Sequence, residues 1–298
     1  MTLLAAFTWT EFAQQMAAGV REGAIYAGLA LAIVIIYRST RVINFAQGEM
    51  ATFTTFIAWS LMNRGLSFWV AFPIVLAIAF AGGVTIERIL IRPVEDAPVL
   101  TVVIVTLGLF FLVNGAARWF WSSETRSLPN AFSTRPIDVA GVAFSIQDLG
   151  NIGVSLAVVV LLWGLFQFRL ALRASAVNPE SSRLAGVRVG WMLALGWGIA
   201  AVLGAVAGMM IAPVVFLDPN MMQTILLYAF AAAVLGGLDS PAGAVVGGIL
   251  LGVTITLLGR YVGFIGSTLK LPVALLLILI LLLVRPGGLF GRVAVRRV

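Results

Sequence analysis

Residues 189–217, VGWMLALGWGIAAVLGAVAGMMIAPVVFL, run for 29 positions without a charged side chain. An ionised group near the centre of a bilayer costs about 2.5–3.5 kcal/mol on an insertion scale, and about 20 apolar residues suffice for a helix to cross. The stretch therefore reads as a membrane span. Its small residues recur every fourth position, at Gly196, Ala200, Gly204, Gly208 and Ala212, a stripe that lets another helix backbone come close. Working outward, charge-free runs of similar character cover Gly65–Ile86, Val99–Ala117, Leu149–Phe168, Pro219–Leu238 and Ser240–Gly259. Weaker runs, each beginning beside a charge, cover Gly23–Tyr37, Met50–Asn63 and Leu271–Val284. Nine spans result, within a range of about eight to ten set by chain length. Only helices and closed barrels satisfy the backbone in hydrocarbon, and runs without strict alternation select helices. The expected fold is an all-α polytopic transmembrane helix bundle.

Composition agrees with that reading. Of 298 residues, 61% are hydrophobic and 10% charged, against about 45–50% apolar in soluble domains. The chain reads as a single transmembrane domain over residues 1–298, with no room for a soluble one. Cys and His are absent, which excludes disulfides, Cys/His metal sites and imidazole bases. The first residues, MTLLAAFTWTEFAQQ, carry Glu11 in place of a basic amino-terminal region. They read as a retained, short interfacial helix anchored by Phe7, Trp9 and Phe12, not as a cleaved signal peptide.

The net charge of +7 reads as an orientation signal and not as nucleic-acid affinity. With nine spans, twelve basic residues from Arg38 to Arg297 fall on one side, and seven, including Arg21, Arg64 and Lys270, on the other. That bias puts the carboxyl terminus in the cytoplasm and the amino terminus outside. Residues 121–148 then form a periplasmic loop, with Trp119 and Trp121 at the level of an aromatic belt. Alternation in VAFSIQ, residues 142–147, suggests a short strand or hairpin. Residues 169–190 form a cytoplasmic loop. In it Asn178, Pro179 and Glu180 make a helix start, and the helix continues through Arg183 and Leu184 to a stop at Gly186. Such a helix either lies in the headgroup layer or docks a soluble partner, with Arg173, Glu180 and Arg183 setting register. The residues alone leave both open.

Two places carry polar residues where a helix is interrupted. Asn44, Gln47, Gly48 and Glu49 head the short second span, at a depth that demands an inward partner or a watery cavity. Gly237 and Asp239 precede Pro241 between the seventh and eighth spans, where Asp239 or Ser240 would cap. Interrupted helices near the midplane often form transporter sites, so both are candidates for a translocation path or gate. Ordinary turns with capping side chains use the same residue types. Asn114, isolated in the fourth span, either lines the conduit or bonds a neighbouring carbonyl.

Four segments carry a resemblance: YRSTRVINFAQGEM (37–50), LRASAVNPESSRLAGV (172–187), AVLGGLDSPAGAVVGGILLG (233–252) and RPGGLFG (285–291). Together they closely resemble the permease subunits of bacterial ABC importers for branched-chain amino acids, specifically the H-type subunit of the Liv system. The resemblance implies a multi-pass protein of the bacterial inner membrane. It would pair with a second related permease, in a hetero-pair or a homo-pair, and work with two ABC ATPase subunits and a periplasmic substrate-binding protein. It also implies that residues 173–187 are the helix that couples to the ATPase. The only Lys is Lys270, followed by Leu271, so no Walker phosphate loop is present. This chain is thus expected to bind no cofactor, with ATP and Mg2+ held by the partner ATPases. Related permeases import urea and short amides, and an ion-coupled secondary transporter would use Glu49 as its coupling carboxylate. An intramembrane enzyme would have only Ser–Lys or carboxylate chemistry to draw on.

Overall fold

The computed structural model describes residues 8–40, 42–139, 142–168, 188–266 and 268–291. The proposed coupling residues Arg173, Asn178, Pro179, Glu180, Arg183, Leu184 and Gly186 lie outside the described residues.

Among the described residues there are nine α-helices: α1 (Trp9–Thr40), α2 (Gln47–Asn63), α3 (Phe68–Ile86), α4 (Val99–Trp121), α5 (Ile146–Phe168), α6 (Val189–Val215), α7 (Met221–Gly236), α8 (Pro241–Tyr261) and α9 (Lys270–Val284). Each overlaps one charge-free run of the sequence, and several extend past it to include a charged residue. Five helical stretches are long and apolar enough to cross a membrane on those grounds alone: Trp9–Arg38, Phe68–Val94, Val99–Trp121, Val189–Val215 and Pro241–Tyr261. α2, α7 and α9 have only 17, 16 and 15 residues, and at about 1.5 Å per residue they fall short of a ~30 Å hydrocarbon layer. The sequence runs are thus matched, but three are short helices.

The amino-terminal expectation is corrected. Phe7 lies outside the described residues, but Trp9 and Phe12, expected in a separate interfacial helix, belong to α1, one 32-residue helix that continues into the first span. Arg21 and Glu22 sit inside it because both have partners: Arg21 Nη1 lies 3.1 Å from Asp148, and Thr256 donates to Glu22 at 3.4 Å. Likewise α3 does not stop at Ile86. It continues through a π-helical turn, Glu87–Ile91, and a 3-10 turn, Arg92–Val94.

The chain forms two compact units. The first comprises residues 1–31, 132–156 and 224–298. Here strands β1 (Pro136–Val139) and β2 (Val142–Ser145) pair antiparallel, with Pro136 opposite Ser145, as the alternation in 142–147 suggested. Ser145 and Asp148 then cap α5 reciprocally: Ser145 Oγ accepts from the Asp148 N–H at 3.0 Å, and Asp148 accepts from the Ser145 N–H at 3.2 Å. α8 turns two glycine pairs, Gly243 with Gly247 and Gly248 with Gly252, toward different neighbours. A Cβ on Gly247 would strike the Ala232 and Gly236 backbone of α7, while one on Gly248 would meet Ala27 of α1 at 2.6 Å.

The second unit comprises residues 32–131 and 157–223, and α6 is its centre. Gly204 and Gly208 of the stripe meet Gln47, Ala51 and Thr55 of α2, and Gly198 meets Phe80 of α3. The stripe therefore serves packing within the chain. The hydroxyls of Thr52, Thr54, Thr55 and Ser60 on α2 return to carbonyls one turn back in their own helix, at 2.8–3.1 Å, which satisfies them without water.

Candidate functional site

The polar and aromatic residues around Glu49 belong to the second unit. The loop before α2 brings Asn44 and Gln47 into its core, where neither is accessible to solvent. Asn44 Oδ1 accepts from the Ala46 N–H at 3.0 Å, and Asn44 Nδ2 donates to Gln47 Oε1 at 3.3 Å. Gln47 Nε2 donates to the Ala200 carbonyl of α6 at 2.8 Å. These two side chains tie the head of α2 to the middle of α6. Gly48 lies in the first turn of α2, where its carbonyl accepts from Thr52 at 3.1 Å.

Glu49 points the other way. Its carboxylate is 1% exposed and accepts from Asn114 Nδ2 of α4 at 2.9 Å and from Gln223 Nε2 of α7 at 3.4 Å. Asn114 Nδ2 also reaches the Pro219 carbonyl at 2.9 Å, while its Oδ1 accepts from Arg118 Nε at 2.8 Å. Arg118 Nη2 and Gln223 Nε2 both donate to Asn220 Oδ1, at 2.8 and 2.9 Å. The result is a polar chain from a buried carboxylate, through one amide, to an exposed guanidinium. It joins α2, α4 and the start of α7. Glu49 makes no ion pair among the described residues. A buried carboxylate held by neutral donors only is costly to keep charged and is a functional feature when it sits in an apolar bundle.

The same faces of α2 and α4 continue as aromatic rings. Phe53 and Phe56 follow Glu49 by four and seven positions, and Trp121 follows Asn114 by seven, so they share its helix faces. Trp121 stacks on Phe56 and meets Phe53 edge-on, both at 5.2 Å between ring centroids, and donates to Ser60 at 2.6 Å.

The sequence singled out Glu49 and Asn114 separately, and the structure brings them together. Asn114 bonds a carbonyl, as one of its two readings held, and a carboxylate besides. Arg118, Asn220 and Gln223 were missed: each sits near a helix end, where polar residues are routine. Gly237 and Asp239 belong to the first unit. Ser240, not Asp239, caps α8 by accepting from the Gly243 N–H at 3.0 Å. Gly237 has φ +104° and lies under the 285–291 segment, whose Leu289 and Phe290 N–H groups bond the Leu235 and Gly236 carbonyls at 2.8 and 3.0 Å. These residues close a turn.

One further feature lies just after residues 169–187, which are outside the described residues. Where α6 begins, Arg92 Nη2 donates to the Gly190 carbonyl at 2.5 Å and lies 3.4 Å from the buried Glu87. Arg88 stands over the Trp191 ring at 3.9 Å. The π-helical turn, a rare element frequent at functional sites, puts Glu87, Arg88 and Arg92 against this one point.

The model of the branched-chain amino acid transport system permease component matches residues 15–284. The chain belongs to that family. It is 31% identical to the high-affinity branched-chain amino acid transport system permease protein LivH of Salmonella typhimurium, over 96% of this chain and 98% of the relative. Against BraD of Pseudomonas aeruginosa, described in the same words, identity is 30% with the same coverage. Among solved structures, PsaBC from Streptococcus pneumoniae in complex with Fab covers 92% of each chain at 14% identity, with a TM-score of 0.49. These permease relatives and the apolar helices make the chain a multi-pass membrane transport protein.

Proposed function

We propose that this chain is the membrane-spanning permease subunit of an ATP-driven importer, and that it moves branched-chain amino acids inward across the bacterial inner membrane with its carboxyl terminus in the cytoplasm. The observation that carries the reading is similarity to branched-chain amino acid permeases along nearly the whole chain. A second related permease, two ATPase subunits and a periplasmic binding protein complete the assembly, and ATP and Mg2+ reside on the ATPases. Residues 173–187 are the coupling helix.

The geometry of the second unit supports a route for that coupling. α6 begins just after the proposed coupling loop and is clamped there to the end of α3 through Arg88 and Arg92. Further along, α6 holds the head of α2 through Gln47 and the glycine stripe. The next residue but one on α2 is Glu49. Displacing the loop therefore moves the core helix, and the core helix is bonded to α2, which carries one end of the polar chain. Two states of the bundle, biased by the nucleotide state of a partner, suffice for transport.

A competition assay on the reconstituted assembly tests the substrate. Uptake of labelled leucine is expected to fall when isoleucine or valine is added and to ignore excess urea. Inhibition by urea alone would replace the reading with that of an amide importer.

A further inference from the structure

Asn114 makes an unusual pair of bonds. Its N–H2 donates to a buried carboxylate, Glu49, and its carbonyl accepts from a guanidinium, Arg118, at 2.9 and 2.8 Å. Those are the contacts that the head of an α-amino acid would make, ammonium to carboxylate and carboxylate to guanidinium, both charge-assisted and therefore stronger than amide bonds. An amide carries its donor and acceptor on one carbon, and an α-amino acid carries them on adjacent carbons, so the two heads differ little in span. We propose that Glu49 and Arg118 form a transient site for the zwitterionic head of an amino acid in passage, and that Asn114 occupies it when no substrate is there.

This proposal rests on the amino-acid reading above and adds where in the chain the substrate's charges are met. Three observations support it. Glu49 is buried and makes no ion pair among the described residues, and a substrate ammonium supplies one. Arg118 lies at the exposed end of the polar chain, so a carboxylate reaches it first and the ammonium is then drawn inward. Phe53, Phe56 and Trp121 continue the same helix faces and give an aliphatic side chain an apolar wall. Transfer is an exchange of hydrogen bonds: Asn114 turns aside, keeping its Pro219 carbonyl partner, and no buried charge is left bare.

The test uses the complete transporter in vesicles, with liganded binding protein and labelled leucine. Glu49→Gln and Arg118→Gln are each expected to lower leucine uptake by about tenfold, the worth of one charge-assisted hydrogen bond. In the Arg118 variants, whose side chain is exposed, ATP hydrolysis stimulated by the liganded binding protein and thermal stability of the assembly should fall far less than uptake. Arg118→Lys, which keeps the charge, should retain more uptake than Arg118→Gln. If Glu49→Gln does not assemble, the two Arg118 variants decide alone, because that side chain is exposed. Unchanged leucine uptake in the variants, or equal losses in uptake, ATP hydrolysis and stability, would overturn the site and leave the proposed function standing. A wild-type transporter that imports urea and not leucine would overturn both.

Discussion

Gly208 and Gly108 differ in what surrounds them. A Cβ on Gly208 would run into Thr55 and stand 2.9 Å from the Ala51 carbonyl of α2, whereas one on Gly108 meets nothing within 4 Å. Gly208→Ala should therefore destabilise the purified protein by about 1–3 kcal/mol, the usual cost of overpacking. Gly108→Ala should be neutral or slightly stabilising, because alanine is the better helix former. Thermal denaturation in detergent checks both, and equal midpoints would mean that the stripe is only compositional. Ser240→Ala removes the cap of α8 and should cost about 1 kcal/mol, while Asp239→Ala leaves that cap in place. Single residues were partly legible in the sequence. Glu49 and Asn114 stood out because ionisable and amide groups in apolar runs need a reason. Their partnership did not, since 65 positions separate them and nothing local encodes a contact of that range.

Helices were legible wherever charge marked their ends, and the reading failed where a charge was neutralised by a distant partner. Arg21 and Glu22 made the first span look short. Asp148 and Thr256 satisfy them, so α1 runs through without a break. Glu87, Arg88 and Arg92 looked like the end of the third span, but a π-helical turn carries the helix past them. That turn sets up a prediction at this scale. Arg92→Ala would strand the buried Glu87 carboxylate and free the Gly190 carbonyl, so stability should fall, and Glu87→Gln added to it should recover part of the loss. A double variant no better than Arg92→Ala would show that the pair does not stabilise the turn. For the coupling loop, Arg183→Glu or Glu180→Arg is expected to leave insertion intact and to separate ATP hydrolysis from uptake. Normal transport by a fully inserted, charge-reversed variant would deny the loop its docking role.

At the scale of the whole molecule, composition alone excluded a soluble protein and charge bias chose an orientation. The absence of cysteine makes that orientation easy to measure. Glu124→Cys lies in the segment after α4 and is 82% exposed at the native side chain. It should react with an impermeant maleimide from the periplasmic face, and Glu180→Cys should react only once the cytoplasmic face is opened. Labelling in the reverse pattern would invert the topology and put the coupling loop beyond reach of any ATPase.

Under the proposed function this chain conducts substrate but draws its energy from another polypeptide that docks on residues 169–190. Leucine accumulation by vesicles measures that directly, comparing the full assembly with and without ATP against this chain alone under a proton or sodium gradient. Accumulation is expected only by the assembly and only with ATP. Accumulation by the isolated chain on an ion gradient would contradict it.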